Sequence, residues 1–152
     1  MKLAKESHRR LEEFFREHLQ DRGLHLPPIY IHSGRIARLI TGKLRVGAIT
    51  FGRHILLSPE RVIRAGDMTT APGWLVAHEA THVLQYERDG LLRFFFKYLM
   101  GYWRALREIG KFDYEARMKA YLTIAEEQSA HEVERAYQQW SARQPDFGGK
   151  VK

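Results

Sequence analysis

The stretch Trp74-Leu-Val-Ala-His78-Glu79-Ala-Thr-His82-Val-Leu-Gln85 constrains the fold of this chain more than any other segment. Leu75, Val76, Ala77, Val83 and Leu84 surround two histidines and a glutamate with aliphatic side chains. The pattern predicts a buried helix from about Trp74 to Arg88, with Gly90 as its stop signal. A surface helix with accidental histidines would be more polar. Residues four apart on a helix share a face, with Cβ atoms ~5–6 Å apart. Two imidazoles and a carboxyl facing inward are costly unless hydrogen bonds or a metal satisfy them. The H-E-x-x-H spacing points to the metal. Two imidazole nitrogens so placed can each approach one zinc ion to ~2.0–2.1 Å. The glutamate beside the first histidine can then act as general base on a metal-activated water. His78 and His82 are the candidate ligands, and Glu79 is the candidate catalytic residue.

A catalytic zinc site needs a third protein ligand and one open position. A third histidine six residues after His82 would extend the motif, but Arg88 stands there, which excludes that subclass. Asp89 falls at the helix end beside Gly90. The other candidates are Glu126, Glu127, His131, Glu132 and Glu134, on a long helix predicted from about Tyr114 to Trp140. Its apolar stripe runs Tyr114, Met118, Leu122, Ala125, Ser129, Val133, Ala136, Trp140. Glu126 lies near that stripe and Glu127 on a neighbouring face, so periodicity slightly favours Glu126. His32 and His54 fall in or beside predicted strands and are read as hydrogen-bonded strand histidines. Thr81 and Gln85 are candidates for supporting the metal helix. Tyr114 and Tyr121 are both candidates for polarising a carbonyl.

The chain has 152 residues, which suits one domain, taken as residues 1–143, followed by a flexible tail at 144–152. The absence of cysteine excludes a disulfide scaffold, thiolate ligands and a cysteine nucleophile. Leu11, Phe14, Phe15 and Leu19 mark an N-terminal helix over about 3–20. Pro27-Pro28 forces an extended segment leading into a strand at Ile29–Ile31. Ser33 is the expected N-cap of a helix over Arg35–Ile40, ending near Gly42. Val46–Phe51 and His54–Leu57 read as a hairpin across Gly52-Arg53, and residues 63–73 as a loop.

Leu91 to about Leu106 is an aromatic-rich helix. It is expected to be a core helix beneath the metal helix, with a substrate groove, a protein-partner face at Leu91–Trp103 or an interfacial membrane contact as alternatives. No run reaches the ~18 apolar residues of a membrane span. With no convincing targeting signal, a cytoplasmic protein is expected unless a partner exports it. Lys+Arg number 25 against 18 Asp+Glu, a formal net of +7. Eight of the basic residues lie between Arg22 and Arg64, against Glu60 alone. They are read as a solvated basic face, with nucleic acid as the alternative partner.

Three segments together resemble the eCIS core domain, a zincin-like metallopeptidase domain of unknown function named after extracellular contractile injection systems. That family has an extended segment ending in histidine, a helix, an Ala-x-Thr-x-Gly-x-x-Ile hairpin and H-E-x-x-H-V-x-Q. Here these are Ile29-Tyr-Ile-His32, Ala48-Ile-Thr50-Phe-Gly52-Arg-His54-Ile55 and His78-Glu79-Ala-Thr81-His82-Val83-Leu-Gln85. Related sequences often show Ile-Pro-x-Glu-x-x-Ala at the start of a helix, and Ile124-Ala125-Glu126-Glu127-Gln128-Ser129-Ala130 fits that spacing, with Ala125 where proline is usual.

The resemblance therefore implies Glu127 as third ligand, together with a helix break near Ala125. It implies an α+β, zincin-like fold with a small sheet, a β-hairpin, an active-site helix and a C-terminal ligand helix. It also implies a zinc metallopeptidase of the gluzincin type, a hydrolase acting on a peptide or protein. The competing expectations are a non-catalytic zincin serving as a partner-binding or secretion-associated module, and a basic DNA-associated metalloprotease.

Overall fold

In the computed structural model the chain is described over residues 2–65, 68–111 and 113–143, with the backbone alone at 64, 65 and 68–70. The expected tail at 144–152 lies outside the described residues. The architecture is α+β and mostly helical. Its helices are α1 (Lys5–His18), α2 (Arg35–Leu44), α3 (Gly73–Asp89), α4 (Leu91–Ile109), α5 (Tyr114–Leu122) and α6 (Ala125–Ala142). Strands β1 (Tyr30–His32), β2 (Ala48–Phe51) and β3 (His54–Leu57) form one sheet in the order β1-β3-β2. β1 runs parallel to β3, and β2 pairs antiparallel with it.

The β2–β3 hairpin turns at Gly52, whose φ of +56° is open to glycine at little cost. The register opposes Phe51 to His54 and Thr50 to Ile55. Strand alternation then sends Thr50, Ile55 and Leu57 inward and leaves Phe51 and His54 exposed.

The main core lies where α1, β3, α3 and α6 meet. Phe14 and Phe15 of α1, Ile55 and Leu57 of β3, Val76 and Val83 of α3, and Val133, Tyr137 and Trp140 of α6 are all buried there. Each such large apolar side chain contributes ~1.5–3 kcal/mol relative to exposure. Phe14 meets Tyr137 edge-on at 5.1 Å, and Trp140 Nε1 donates to Glu17 at 2.8 Å, so α1 is locked to α6. α3 and α6 form the most extensive helix pair, and the candidate metal residues lie between them.

Four expectations need correction. Residues expected to be a loop carry two short strands, β4 (Ile63–Ala65) and β5 (Met68–Thr70), paired antiparallel. Their three-residue pairing is too short to show a period in sequence. Gly34, not Ser33, occupies the N-cap of α2, without a side-chain cap. The long C-terminal helix is two helices, because Ile124 takes an extended conformation (φ −67°, ψ 129°) after Thr123. A buried Ile124, 2 % exposed, anchors that break.

Finally, α4 is not a core helix. Only Phe94 and Leu106 in it are buried, the latter against Ala116 and Ala120 of α5. Among the described residues no helix is long and apolar enough to cross a membrane.

Candidate metal centre

α3 presents His78 and His82 on one face, as their spacing requires, with ring centroids 5.2 Å apart. Both are buried, at 6 % and 7 % exposure. The break at Ile124 restarts the helical register so that Glu127, in the first turn of α6, points at this face. Its Oε2 lies 3.6 Å from His78 Nε2, and its Oε1 lies 3.6 Å from His82 Nε2. The donor atoms of the three residues all lie within 4.8 Å of one another. Two ligands at ~2.0–2.1 Å from a tetrahedral ion would sit ~3.3–3.4 Å apart, so the spacing and the His-His-Glu chemistry fit a zinc-type site.

Of the other third-ligand candidates, His131 and Glu134 gather on the far side of His78, where the three form a second group with ligand atoms within 4.8 Å of one another, and Glu126 and Asp89 do not join the cluster. The Glu126 backbone carbonyl accepts from Gln85 Nε2 at 3.2 Å, which uses none of its carboxylate. Asp89 is engaged by Arg88 and Lys97. His32 and His54 pair with each other at 3.0 Å on the exposed face of β1 and β3, away from α3.

The surrounding groups orient each donor. His82 Nδ1 lies 2.9 Å from Gln85 Oε1, an acceptor, so Nδ1 carries a hydrogen and Nε2 is the nitrogen turned to Glu127. His78 Nδ1 faces Glu134 Oε2 at 3.4 Å, and the same oxygen takes His131 Nδ1 at 3.2 Å. A carboxylate behind a ligating imidazole fixes its tautomer and raises its basicity. Tyr98 Oη donates to Glu127 Oε1 at 3.1 Å, and Tyr121 Oη donates to Glu127 Oε2 at 2.5 Å. Glu79, 5 % exposed, accepts from Thr50 Oγ1 at Oε2, 2.6 Å away. The Thr50 carbonyl in turn accepts from Tyr86 Oη at 3.0 Å.

Burial pushes the Glu127 carboxyl up, but contacts from His78, His82 and Tyr121 outweigh it and hold the group well below the usual carboxylate range. Burial pushes the His82 imidazolium down, but Glu127, Glu79 and Gln85 overcome this and raise it to about 9. Burial, reinforced by the Glu127 charge, pushes the Tyr98 and Tyr121 phenols up, so both remain proton donors at neutral pH.

Two participants, Thr50 and Tyr98, were missed in the sequence, and Glu134 stood there only as a ligand candidate. Glu134 follows Glu127 by two helical turns, a same-face signal that becomes readable only once α6 is known to start at Ala125. Thr50 stood in the quoted hairpin motif without a role. Tyr98 lies in an aromatic run that offers no way to single it out.

An α+β chain with H-E-x-x-H on a buried helix and a glutamate from a second helix defines a protein with a candidate His-His-Glu metal centre. The eCIS core domain model matches residues 2–90, more than half of the chain, and the protein belongs to that family. The match includes His78, Glu79 and His82 and stops short of α4, α5 and α6, so Glu127, Glu134, Tyr98 and Tyr121 lie beyond it. No curated protein and no solved structure matches the chain.

Proposed function

We propose that this protein is a zinc metallopeptidase of the gluzincin type, with a zincin-like active site in which His78, His82 and Glu127 hold zinc. The observation that carries the reading is the placement of the Glu127 carboxylate 3.6 Å from both histidine Nε2 atoms, with Glu79 buried one residue along from His78. Zinc bound there would supply Lewis acidity toward a peptide carbonyl and lower the pKa of water to about 7. Glu79 would take the water proton. Thr50 Oγ1 holds Glu79 Oε2, which leaves Oε1 as the receiving atom. The same carboxyl would then pass that proton to the leaving amine, as a general base turned general acid. Gln85 and Glu134 would keep the two imidazoles in register, and Tyr98 and Tyr121 would hold Glu127 against rotation.

The test combines metal content with catalysis. Protein purified without added metal should carry about one zinc per chain by elemental analysis. Glu79→Gln should retain it while slowing hydrolysis of a library-selected peptide by roughly 10²–10⁴-fold. Stoichiometric metal with no hydrolysis of any peptide would favour the second reading, a non-catalytic secretion-associated module, which membership of the eCIS core family supports. Metal-free protein that takes up no zinc would defeat the metallopeptidase reading.

A further inference from the structure

The outer face of α4 carries a continuous row of exposed apolar side chains. Leu92, Phe96, Leu99 and Trp103 are 85 %, 67 %, 54 % and 54 % exposed, and their spacing of four, three and four puts them in one row. Over eleven residues that row is about 17 Å long. Phe95 and Met100 widen it, and Phe51 at the hairpin tip continues it, with its ring 6.0 Å from that of Phe95. The opposite face of the helix is committed to the protein. Phe94 packs on Tyr86 at 4.2 Å, and Tyr98 bonds Glu127. Exposed cations border the row. At 100° per residue Arg93, Lys97 and Arg104 fall along one flank, Lys97 being paired with Asp89 at 3.0 Å, and Arg107 lies at its edge, against Glu108 as the lone acid of the helix.

We propose that α4 is an interfacial helix that lays this row into an anionic lipid surface. A single helix, apolar on its outward side and flanked by lysine and arginine, has the form that lies in the headgroup plane with its apolar face ~5–10 Å deep. The cations would meet lipid phosphates while the leucine, phenylalanine and tryptophan side chains enter the acyl boundary. A second copy of the chain fits poorly, because pairing two such faces would bring together the six arginines that border them, Arg93, Arg104 and Arg107 from each copy. A groove of a protein partner could reach only the outward half of the helix. Because Tyr98 and Phe94 project from the same helix toward Glu127 and Tyr86, lipid would be held against the wall of the metal centre. The proposal is independent of catalysis.

The test uses the full chain and sedimentation with vesicles of phosphatidylglycerol and phosphatidylcholine, against vesicles of phosphatidylcholine alone. Binding is expected to the anionic vesicles, falling as salt is raised. Tryptophan emission should shift to the blue, and Trp103→Phe should abolish that shift. Leu92→Asp with Phe96→Asp should weaken binding at least tenfold, as should Arg93→Glu with Arg104→Glu. Both pairs are exposed, and circular dichroism checks that each variant keeps its helix content. No binding at low salt would overturn the proposal, as would binding that survives the two aspartates. A concentration-dependent dimer that the aspartates abolish, without vesicle binding, would assign the face to a second copy. Binding of polyglutamate as tight as that of vesicles would assign it to an acidic polypeptide.

Discussion

Replacing Glu127 with alanine is the most demanding perturbation of the centre. The carboxylate is 3 % exposed, accepts bonds from Tyr98 and Tyr121, and lies 3.6 Å from each histidine Nε2. Loss of a group that only orients a ligand costs 10–100-fold in metal affinity, and Glu127 is placed to be a ligand itself. The expected loss in zinc affinity is therefore roughly 10³-fold or more, which is about 4 kcal/mol at ~1.4 kcal/mol per decade.

The metal-free protein should also suffer. Two buried phenol hydroxyls lose their acceptor, at ~1–3 kcal/mol each, partly offset because no carboxylate is then buried. Glu126→Ala serves as control, since that residue contributes its backbone carbonyl to Gln85 and no side-chain atom to the cluster. Chelator competition measures the affinities. Thermal melts with and without zinc add a second readout, because a ligand at a hundred times its Kd stabilises the fold by ~2.7 kcal/mol. That stabilisation should vanish in Glu127→Ala and persist in Glu126→Ala. Wild-type zinc affinity in Glu127→Ala, or a larger loss in Glu126→Ala, would refute the assignment.

Further outcomes follow from the same geometry. His78→Ala and His82→Ala should each abolish stoichiometric zinc by elemental analysis, whereas Gln85→Leu and Glu134→Gln should weaken it by about 10–100-fold in the chelator assay. Gly73→Ala should destabilise the fold by about 1–3 kcal/mol in urea melts, since its Cβ would fall 2.9 Å from Tyr137 Cε1 in a packed core. Ile55→Ala should cost ~2–5 kcal/mol, because Ile55 is fully buried on the central strand. In the metal-free protein His82 is raised from 6.5 to about 9, so its stabilising contribution is complete below about pH 6.5 and is lost as pH rises through about 9. Urea denaturation across that window should show the decline, and Glu127→Gln should flatten it.

The sequence by itself determined α3 with its two histidines, the N-terminal helix and the β2–β3 hairpin. These depend on local rules: a four-residue spacing within one helix, an apolar stripe, and a glycine where the turn needs positive φ. The eCIS core resemblance also read Glu127 ahead of Glu126 from the Ile-x-x-Glu spacing, where the apolar stripe leaned the other way. The stripe assumed one continuous helix, whereas the structure has two. The break at Ile124 is anchored by burial of that side chain, and an α-helical period carries no information across such a break.

Tertiary structure alone decided the rest. Tyr98 reaches Glu127 across 29 residues, and Thr50 reaches Glu79 across 29 residues, contacts that no local pattern encodes. The same holds for α4, whose composition reads as core. Leu92, Phe96, Leu99 and Trp103 are exposed because α3 and α5 cover only one side of it, and burial is a property of what packs against a helix rather than of the helix itself.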